Sequence, residues 1–152
     1  MRFLYYLLFA TFISSTLLIS SCSDDNDDED PPVTPFMTAN VGGSSWSASS
    51  SLVATTGGNN LIITGKGSDN TEMLLTIVGY NGTGTYQLMP SEETLGRWTD
   101  DGTVYSTFLG GSGSIVISFD DGNQIRGTFS FTATGQSGTI EVTSGEFAVN
   151  PA

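Results

Sequence analysis

The side chains that usually carry enzyme chemistry are scarce in this chain. Its 152 residues include no histidine and one cysteine, against 16 aspartates and glutamates and four lysines and arginines. Hydrolytic serine and cysteine nucleophiles are commonly activated by a neighbouring histidine, and zinc, copper and haem sites draw on histidine and cysteine ligands. The composition therefore predicts a protein that is not an enzyme and carries no cofactor.

Carboxylates are the remaining candidates for chemistry. Glu92 and Glu93 are sequence neighbours and point in different directions, whereas a glycosidase requires two carboxyl groups facing each other across a cleft. Calcium takes oxygen ligands alone, and its candidates here are Asp100-Asp101-Gly102 and Asp120-Asp121-Gly122-Asn123. Neither segment has the spacing of an EF-hand, and Asp-Gly between two strands is typical of a hairpin turn. We therefore predict no metal site.

One aromatic residue has a setting that is typical of a binding surface. Trp98 lies in a turn-rich segment, beside Arg97 and close to Asp100 and Asp101. An exposed ring of this kind could stack on a sugar, and Tyr80 could join it. Trp98, Arg97 and Tyr80 are therefore the predicted ligand-binding residues, with a glycan as the ligand. The alternative is a structural role for Trp98.

The N-terminus has the layout of a secretory signal. Arg2 is followed by the apolar run 3–19, and small residues then precede Cys22 in Ile19-Ser20-Ser21-Cys22. These four residues resemble the lipobox of bacterial lipoproteins. The resemblance implies that residues 1–21 are removed and that Cys22 carries a diacylglyceryl thioether and an acylated amino group, which attach the protein to a membrane. The alternatives are an uncleaved anchor, although the run is slightly short of the roughly 20 residues that span a bilayer, and an ordinary signal peptide that leaves a free thiol.

Residues 22–35 form the predicted flexible tether. Six of the seven residues in 24–30 are acidic and three prolines follow, so like-charge repulsion and proline stiffness keep the segment extended. An acidic run just after a lipidated cysteine resembles the export signal of Bacteroidetes lipoproteins. That resemblance implies an outer-membrane protein displayed on the cell surface.

The charge balance restricts the partners of the folded part. The formal net charge is −12, whereas nucleic-acid binding requires a basic surface to neutralise phosphates. Adhesion of the folded surface to an anionic membrane is disfavoured for the same reason. The expected partners are the membrane, through the lipid at Cys22, and a glycan or protein ligand, but no nucleic acid.

Residues 36–150 have the pattern of a single β domain. Apolar residues alternate with polar ones, as in Ile115, Ile117 and Phe119, and Gly-, Asn- and Asp-containing turns separate the runs. The pattern predicts strands at 36–41, 45–54, 60–65, 72–79, 84–88, 103–108, 113–119, 124–134, 138–143 and 146–149. The fold class is therefore all-β, an antiparallel meander of about ten strands. We favour a β-sandwich, with a partly closed β-barrel as the alternative.

The strand-and-turn motifs of this domain resemble a domain of unknown function that occurs in Bacteroidetes lipoproteins. They are Phe36-Met37-Thr38-Ala39-Asn40-Val41, Trp46-Ser47-Ala48, Gly84-Thr85-Tyr86-Gln87-Leu88, Ile125-Arg126-Gly127-Thr128-Phe129-Ser130-Phe131 and Ser144-Gly145-Glu146-Phe147. The resemblance covers nearly the whole domain and implies its architecture and location. It brings no catalytic residue.

Three functions agree with these observations. The first is a non-enzymatic, surface-exposed lipoprotein whose β domain has a binding or envelope role. The second is a carbohydrate-binding accessory protein of a nutrient uptake system. The third is a structural or adhesin-like component of the envelope that pairs through its strand edges.

Overall fold

The computed structural model describes residues 33–152, which form eleven β-strands. The predicted signal peptide, the lipidation site Cys22 and the tether up to residue 32 lie outside the described residues. No helix of the described part has the length and hydropathy that crossing a membrane requires. The strands are β1 (Phe36–Val41), β2 (Ser44–Ser47), β3 (Ser51–Gly57), β4 (Asn60–Lys66), β5 (Thr71–Val78), β6 (Gly84–Leu88), β7 (Leu95–Asp100), β8 (Thr103–Ser106), β9 (Gly113–Asp120), β10 (Ile125–Gly135) and β11 (Gly138–Val149).

All eleven strands belong to one antiparallel sheet. Its main path runs β2-β1-β11-β10-β8-β7-β5-β4-β3, and it forks at β10. The first half of β10 pairs with β9, which in turn pairs with β6, whereas Thr134 and Gly135 at its end pair with β8. Because β10 and β11 are long enough to bridge both parts, the strands remain in one sheet.

The sheet curls until its far edge meets the C-terminus. Ala54 on β3 forms a parallel bridge with Pro151, and the Ala152 amide donates a 3.0 Å hydrogen bond to the Ala54 carbonyl. The result is a half-barrel. The prediction of an all-β antiparallel domain is confirmed, and of the two architectures considered, the single curled sheet corresponds to the partly closed barrel.

Two predicted strand boundaries differ from the structure for identifiable reasons. The run 45–54 is split into β2 and β3, because the Ala48 amide bonds to β1 while the Ser49 amide bonds to the Lys66 carbonyl on β4. The runs 138–143 and 146–149 are one strand, β11. Its register shifts opposite Phe129–Phe131, and Ser144 at this irregularity has a positive φ of 51°. The sequence at this β-bulge resembles that of a turn, and for this reason it predicts two strands where the structure has one.

The strand β7 was not predicted at all. Its buried positions are Gly96 and Trp98, and the residues between and after them are polar. Because one of the two buried positions is a glycine, the alternation of apolar and polar residues is weak in the sequence. Pairing with β5 on one side and β8 on the other holds it in the sheet.

The core fills the inner side of the curl. On the β3–β4–β5–β7–β8 part, one cross-strand row of inward positions is Leu52, Gly65, Met73, Trp98 and Tyr105. Phe129, Phe131 and Phe147 fill the part under β10 and β11. Bulky and small residues thus interdigitate across the core, as close packing requires.

Candidate functional site

The chain enters the domain at one end of the half-barrel, which we call the entry rim. There the Gln124 side chain accepts a 3.0 Å hydrogen bond from the Val33 amide and donates a 2.6 Å bond to the Val33 carbonyl. Gln124 is 4% exposed and also donates to Asn150 at 3.2 Å. The β9–β10 turn lies at the same end, because Ile125 at the start of β10 pairs with Val149 at the end of β11. The segment that leaves β5 lies there too, because the Tyr80 hydroxyl donates a hydrogen bond to Asp120 at the end of β9.

The opposite end, which we call the far rim, carries a polar groove. It lies between the β4–β5 and β7–β8 turns, since Thr71 pairs with Asp100 where β5 begins and β7 ends. The groove has a volume of about 680 Å³. It is lined by Ser50, Lys66, Gly67, Asp69, Asn70, Thr71, Glu72, Arg97, Thr99, Gly102 and Val104.

An ion cluster forms the floor of this groove. The Arg97 Nη2 donates a 2.8 Å hydrogen bond to Glu72 Oε1, and Lys66 Nζ lies 3.9 Å from Glu72 Oε2. The Lys66 and Arg97 side chains are 57% and 37% exposed. Surface ion pairs of this kind contribute at most about 1 kcal/mol to stability. The exposed parts of these two side chains leave donors in the groove beyond those that Glu72 accepts, whereas the Arg97 Nε is buried.

The two turns that wall the groove are held in defined conformations. Asp69, Asn70 and Asp101 all have positive φ, between 42° and 57°, a region that side chains other than glycine seldom adopt. The Thr71 hydroxyl donates to the Ser68 carbonyl at 2.7 Å, and the Asn70 amide group donates to Asp101 at 3.4 Å across the groove mouth. The polar groups are thus positioned before a ligand arrives.

The groove is suited to hydrogen bonding. It offers ammonium, guanidinium and amide donors together with carboxylate and hydroxyl acceptors. Of its two carboxylates, Glu72 is engaged by both cations. Such a mixture matches a ligand that is rich in hydroxyl groups.

Trp98 does not lie where the sequence predicted. It is an inward residue of β7, is 4% exposed, and packs edge-to-face on Trp46 at a centroid distance of 5.5 Å. The flanking Arg97 and Thr99 face outward because strand residues alternate, so the charges near Trp98 do not mark an exposed ring. The prediction of an exposed Trp98 is wrong, and a sugar cannot stack on this buried side chain.

Of the other two predicted ligand-binding residues, Arg97 lies in the groove and Tyr80 does not. Tyr80 follows β5 at the entry rim, six residues beyond Leu74, the residue that pairs with Arg97. At about 3.3 Å per residue this places it roughly 20 Å away. Tyr80 stacks on Tyr86 and donates a 2.6 Å hydrogen bond to Asp120. Trp98, Arg97 and Tyr80 therefore do not form one site.

In the second calcium candidate, Asp120 and Asp121 each accept backbone hydrogen bonds within their own turn. The Asp121 Oδ1 accepts hydrogen bonds from the Gln124 and Asn123 amides, and these bonds lower the pKa of the Asp121 carboxyl. The Asp120 Oδ1 accepts from the Gly122 amide at 3.0 Å. Within residues 33–152, no three acidic, histidine or cysteine side chains are grouped as a metal site.

Sequence reasoning missed most of the groove. Lys66 and Glu72 flank a predictable hairpin, but their meeting with Arg97 depends on the register between β5 and a strand that the pattern did not reveal. One signal was available. Lys66 and Arg97 are two of the three basic residues that follow the predicted signal peptide.

The fold is a half-barrel β domain with a polar groove at one rim. Residues 33–151 match the family model described as a domain of unknown function (DUF6252), and the chain belongs to this family. No curated protein and no solved structure matches the chain.

Proposed function

We propose that this protein is a non-enzymatic, lipid-anchored surface lipoprotein that binds a glycan in the far-rim groove. The observation that carries the proposal is the arrangement of Lys66, Glu72 and Arg97 between two ordered turns. These groups supply both donors and acceptors, and sugar hydroxyls are both. Stacking on Trp98 has no part in this binding, since that ring is buried.

A non-enzymatic role is supported by the use of the ionisable groups. The full sequence has no histidine. Glu72 forms ion pairs with both Lys66 and Arg97. Asp120 accepts a hydrogen bond from the Tyr80 hydroxyl, and Asp121 accepts hydrogen bonds from backbone amides of its own turn. Side chains committed in this way stabilise the fold and orient a ligand, but are poorly placed for proton transfer.

Anchoring through Cys22 is supported by the lipobox-like sequence and by the site of chain entry. Val33 lies eleven positions after Cys22, and at about 3.5 Å per position this stretch reaches at most roughly 38 Å. Because Val33 is held at the entry rim, the groove lies at the end of the domain opposite to the point where the chain enters it. This arrangement supports a groove that a ligand outside the cell can reach.

The glycan proposal is tested with cells that display the full chain, probed with fluorescent oligosaccharides. Arg97→Gln and Lys66→Gln should each weaken binding at least several-fold, because each removes a charged donor from the groove. Arg126→Gln is the matched control: it removes the same charge from a side chain that packs over Phe119, outside the groove. Absence of binding by the parent chain, or equal losses in all three variants, contradicts the proposal.

The anchor is tested separately by metabolic labelling with a fatty-acid analogue. The parent chain should incorporate the label and sediment with membranes, whereas Cys22→Ala should do neither. Externally added protease should degrade the parent chain on intact cells. Label in the Cys22→Ala variant, or full protection of the parent chain, contradicts surface lipidation.

A further inference from the structure

The link between β5 and β6 contains Asn81-Gly82, the single Asn-Gly pair in the sequence. The backbone nitrogen that follows an asparagine can attack the side-chain carboxamide and close a five-membered ring, and a glycine leaves that nitrogen without a side chain to hinder it. Asn81 is exposed. Beyond its chain neighbours, a Cβ at Gly82 would meet nothing closer than Asp120 Oδ2, at 3.9 Å. The reacting pair is therefore open to solvent and sterically unhindered.

The Gly82 nitrogen is available as the nucleophile. Among the described residues its N–H donates no hydrogen bond, whereas the Gly82 carbonyl accepts one from the Tyr86 hydroxyl at 2.8 Å. The Asp-Gly pair of the β9–β10 turn is different. The Gly122 amide there donates to Asp120 at 3.0 Å, and the preceding Asp121 side chain is a carboxylate, whose negative charge makes it a poor electrophile. Of these two pairs, Asn81-Gly82 is the one that combines an unengaged nitrogen with a neutral carbonyl.

The Tyr86 hydroxyl lies against the carbonyl that would be attacked. Its oxygen is 2.9 Å from Asn81 Oδ1, 2.8 Å from the Gly82 carbonyl oxygen and 3.1 Å from the Asn81 amide nitrogen. The phenol has one hydrogen, so it donates to one of the two oxygens at a time while it accepts from the amide. When it donates to Oδ1, it withdraws electron density from Cγ and stabilises the negative charge that develops on this oxygen during attack. Stacking on Tyr80 holds the hydroxyl in this position.

We propose that Asn81 converts spontaneously to aspartate and isoaspartate, and that the Tyr86 hydroxyl promotes the reaction. The Gly82 nitrogen gives its proton to solvent and forms a bond to Asn81 Cγ. The side-chain nitrogen takes up a proton from solvent and leaves as ammonia. One water molecule then opens the resulting succinimide ring at either of its two carbonyls. Opening at one gives aspartate, and opening at the other gives isoaspartate, in which the main chain runs through Cβ.

The conversion weakens the entry rim. Both products place a new carboxylate beside Gly82, which lies close to the Asp120 carboxylate, and the two negative charges repel each other. Isoaspartate also lengthens the main chain by one methylene, so the three contacts of the Tyr86 hydroxyl cannot all be kept. Because Tyr80 stacks on Tyr86 and donates to Asp120, the contact between the end of β5 and the end of β9 loosens as the molecule ages. None of this depends on glycan binding.

Peptide mapping of the full chain during incubation at mildly alkaline pH tests the proposal. Trypsin cleaves at the basic residues that bound the stretch 67–97, and the resulting peptide contains both Asn81 and Asn70. Asn70 is the internal control, because it is also exposed but is followed by Thr71, whose branched side chain hinders the attacking nitrogen. The mass gain of an amide-to-acid conversion and a separately eluting isoaspartyl peptide should accumulate at Asn81 several-fold faster than at Asn70.

Two variants identify the reacting groups. Asn81→Gln keeps a carboxamide but should abolish the mass gain, since the longer side chain closes its ring much more slowly. Tyr86→Phe should slow the conversion several-fold, whereas loss of a hydroxyl that merely held the turn would loosen the turn and speed it. After incubation the parent chain should melt at a lower temperature than a fresh sample, and Asn81→Gln should not.

Four results overturn the proposal. They are the absence of conversion at Asn81, equal conversion at Asn70, a rate in Tyr86→Phe equal to or above that of the parent chain, and an unchanged melting temperature in the fully converted chain.

Discussion

The hydroxyl of Tyr80 donates a 2.6 Å hydrogen bond to Asp120, and this bond joins two segments that are 40 residues apart in sequence. Tyr80 lies just after β5, and Asp120 ends β9. Asp120 also accepts a hydrogen bond from the Gly122 amide in the β9–β10 turn. The pair therefore fastens the two branches of the forked sheet to each other at the entry rim.

Removing the Tyr80 hydroxyl should destabilise the domain. We expect Tyr80→Phe to lower the free energy of unfolding by about 1–2 kcal/mol, toward the low end for a hydrogen bond to a charged group because the pair is only partly buried. Asp120→Asn should cost less, since its amide oxygen can still accept from the phenol. Urea titration followed by tryptophan fluorescence measures both. Equal stability of Tyr80→Phe and the parent chain would show that the bond contributes nothing.

The same pair predicts sensitivity to alkali. Burial, reinforced by the Asp120 carboxylate, raises the pKa of the Tyr80 phenol above its ordinary value. Below about pH 10, the ordinary tyrosine pKa, the phenol is protonated in both the folded and unfolded states and its contribution is complete. Above that pH the unfolded state loses the proton first, so stability falls as pH rises. In Tyr80→Phe the decline in unfolding free energy between pH 9 and 11 should be smaller than in the parent chain.

Two glycines should respond oppositely to the same substitution. A Cβ at Gly96 on β7 would lie 2.7 Å from the Phe131 ring, so Gly96→Ala should cost about 1–3 kcal/mol through overpacking. A Cβ at Gly57 would have no atom within 4 Å, and its φ is not positive. Gly57→Ala should therefore be neutral or stabilise by up to about 1 kcal/mol. Thermal melts of the two variants distinguish these effects, and similar losses would contradict the packing argument.

Gln124 should control how firmly the chain is held at its entry. Gln124→Ala leaves the Val33 amide and carbonyl without this side-chain partner, and we expect a loss of about 1–3 kcal/mol together with faster exchange of the Val33 amide. Gln136→Ala, in the exposed β10–β11 turn, is the control and should change neither quantity. Hydrogen exchange read by nuclear magnetic resonance checks the prediction. An unchanged Val33 rate in Gln124→Ala would contradict it.

The sequence predicted strand positions well where they depend on the local alternation of apolar and polar residues and on the residues of the adjoining turns. The strands β1, β4 and β6 coincide with predicted runs to within one residue, because each has alternating or β-branched residues bounded by glycine or asparagine. Alternation alone cannot show which strands close on each other. Sandwich and barrel share the same pattern, and the long strands β10 and β11 decide the outcome by bridging both halves.

The candidate site was less predictable because it depends on pairing between distant strands. Trp98 follows a charged residue and precedes an Asp-Asp-Gly turn, so its local sequence resembles an exposed loop. The hydrogen bonds of β7 to β5 and β8 turn that ring inward and its neighbour Arg97 outward. The register between β5 and β7 also brings Glu72 within hydrogen-bond distance of Arg97, and the amino-acid composition does not predict that pairing.

The fastening of Val33 by Gln124 has a mechanical consequence. Tension applied through the N-terminal segment reaches the Gln124 side chain before it reaches β1, and Gln124 directly precedes β10. β10 is hydrogen-bonded on both sides, to β9 and β11. A pulling force is thus delivered to the middle of the sheet, where several strands must slide together, instead of peeling one strand from an edge. A domain held by its N-terminus against flowing liquid would in this way resist unravelling.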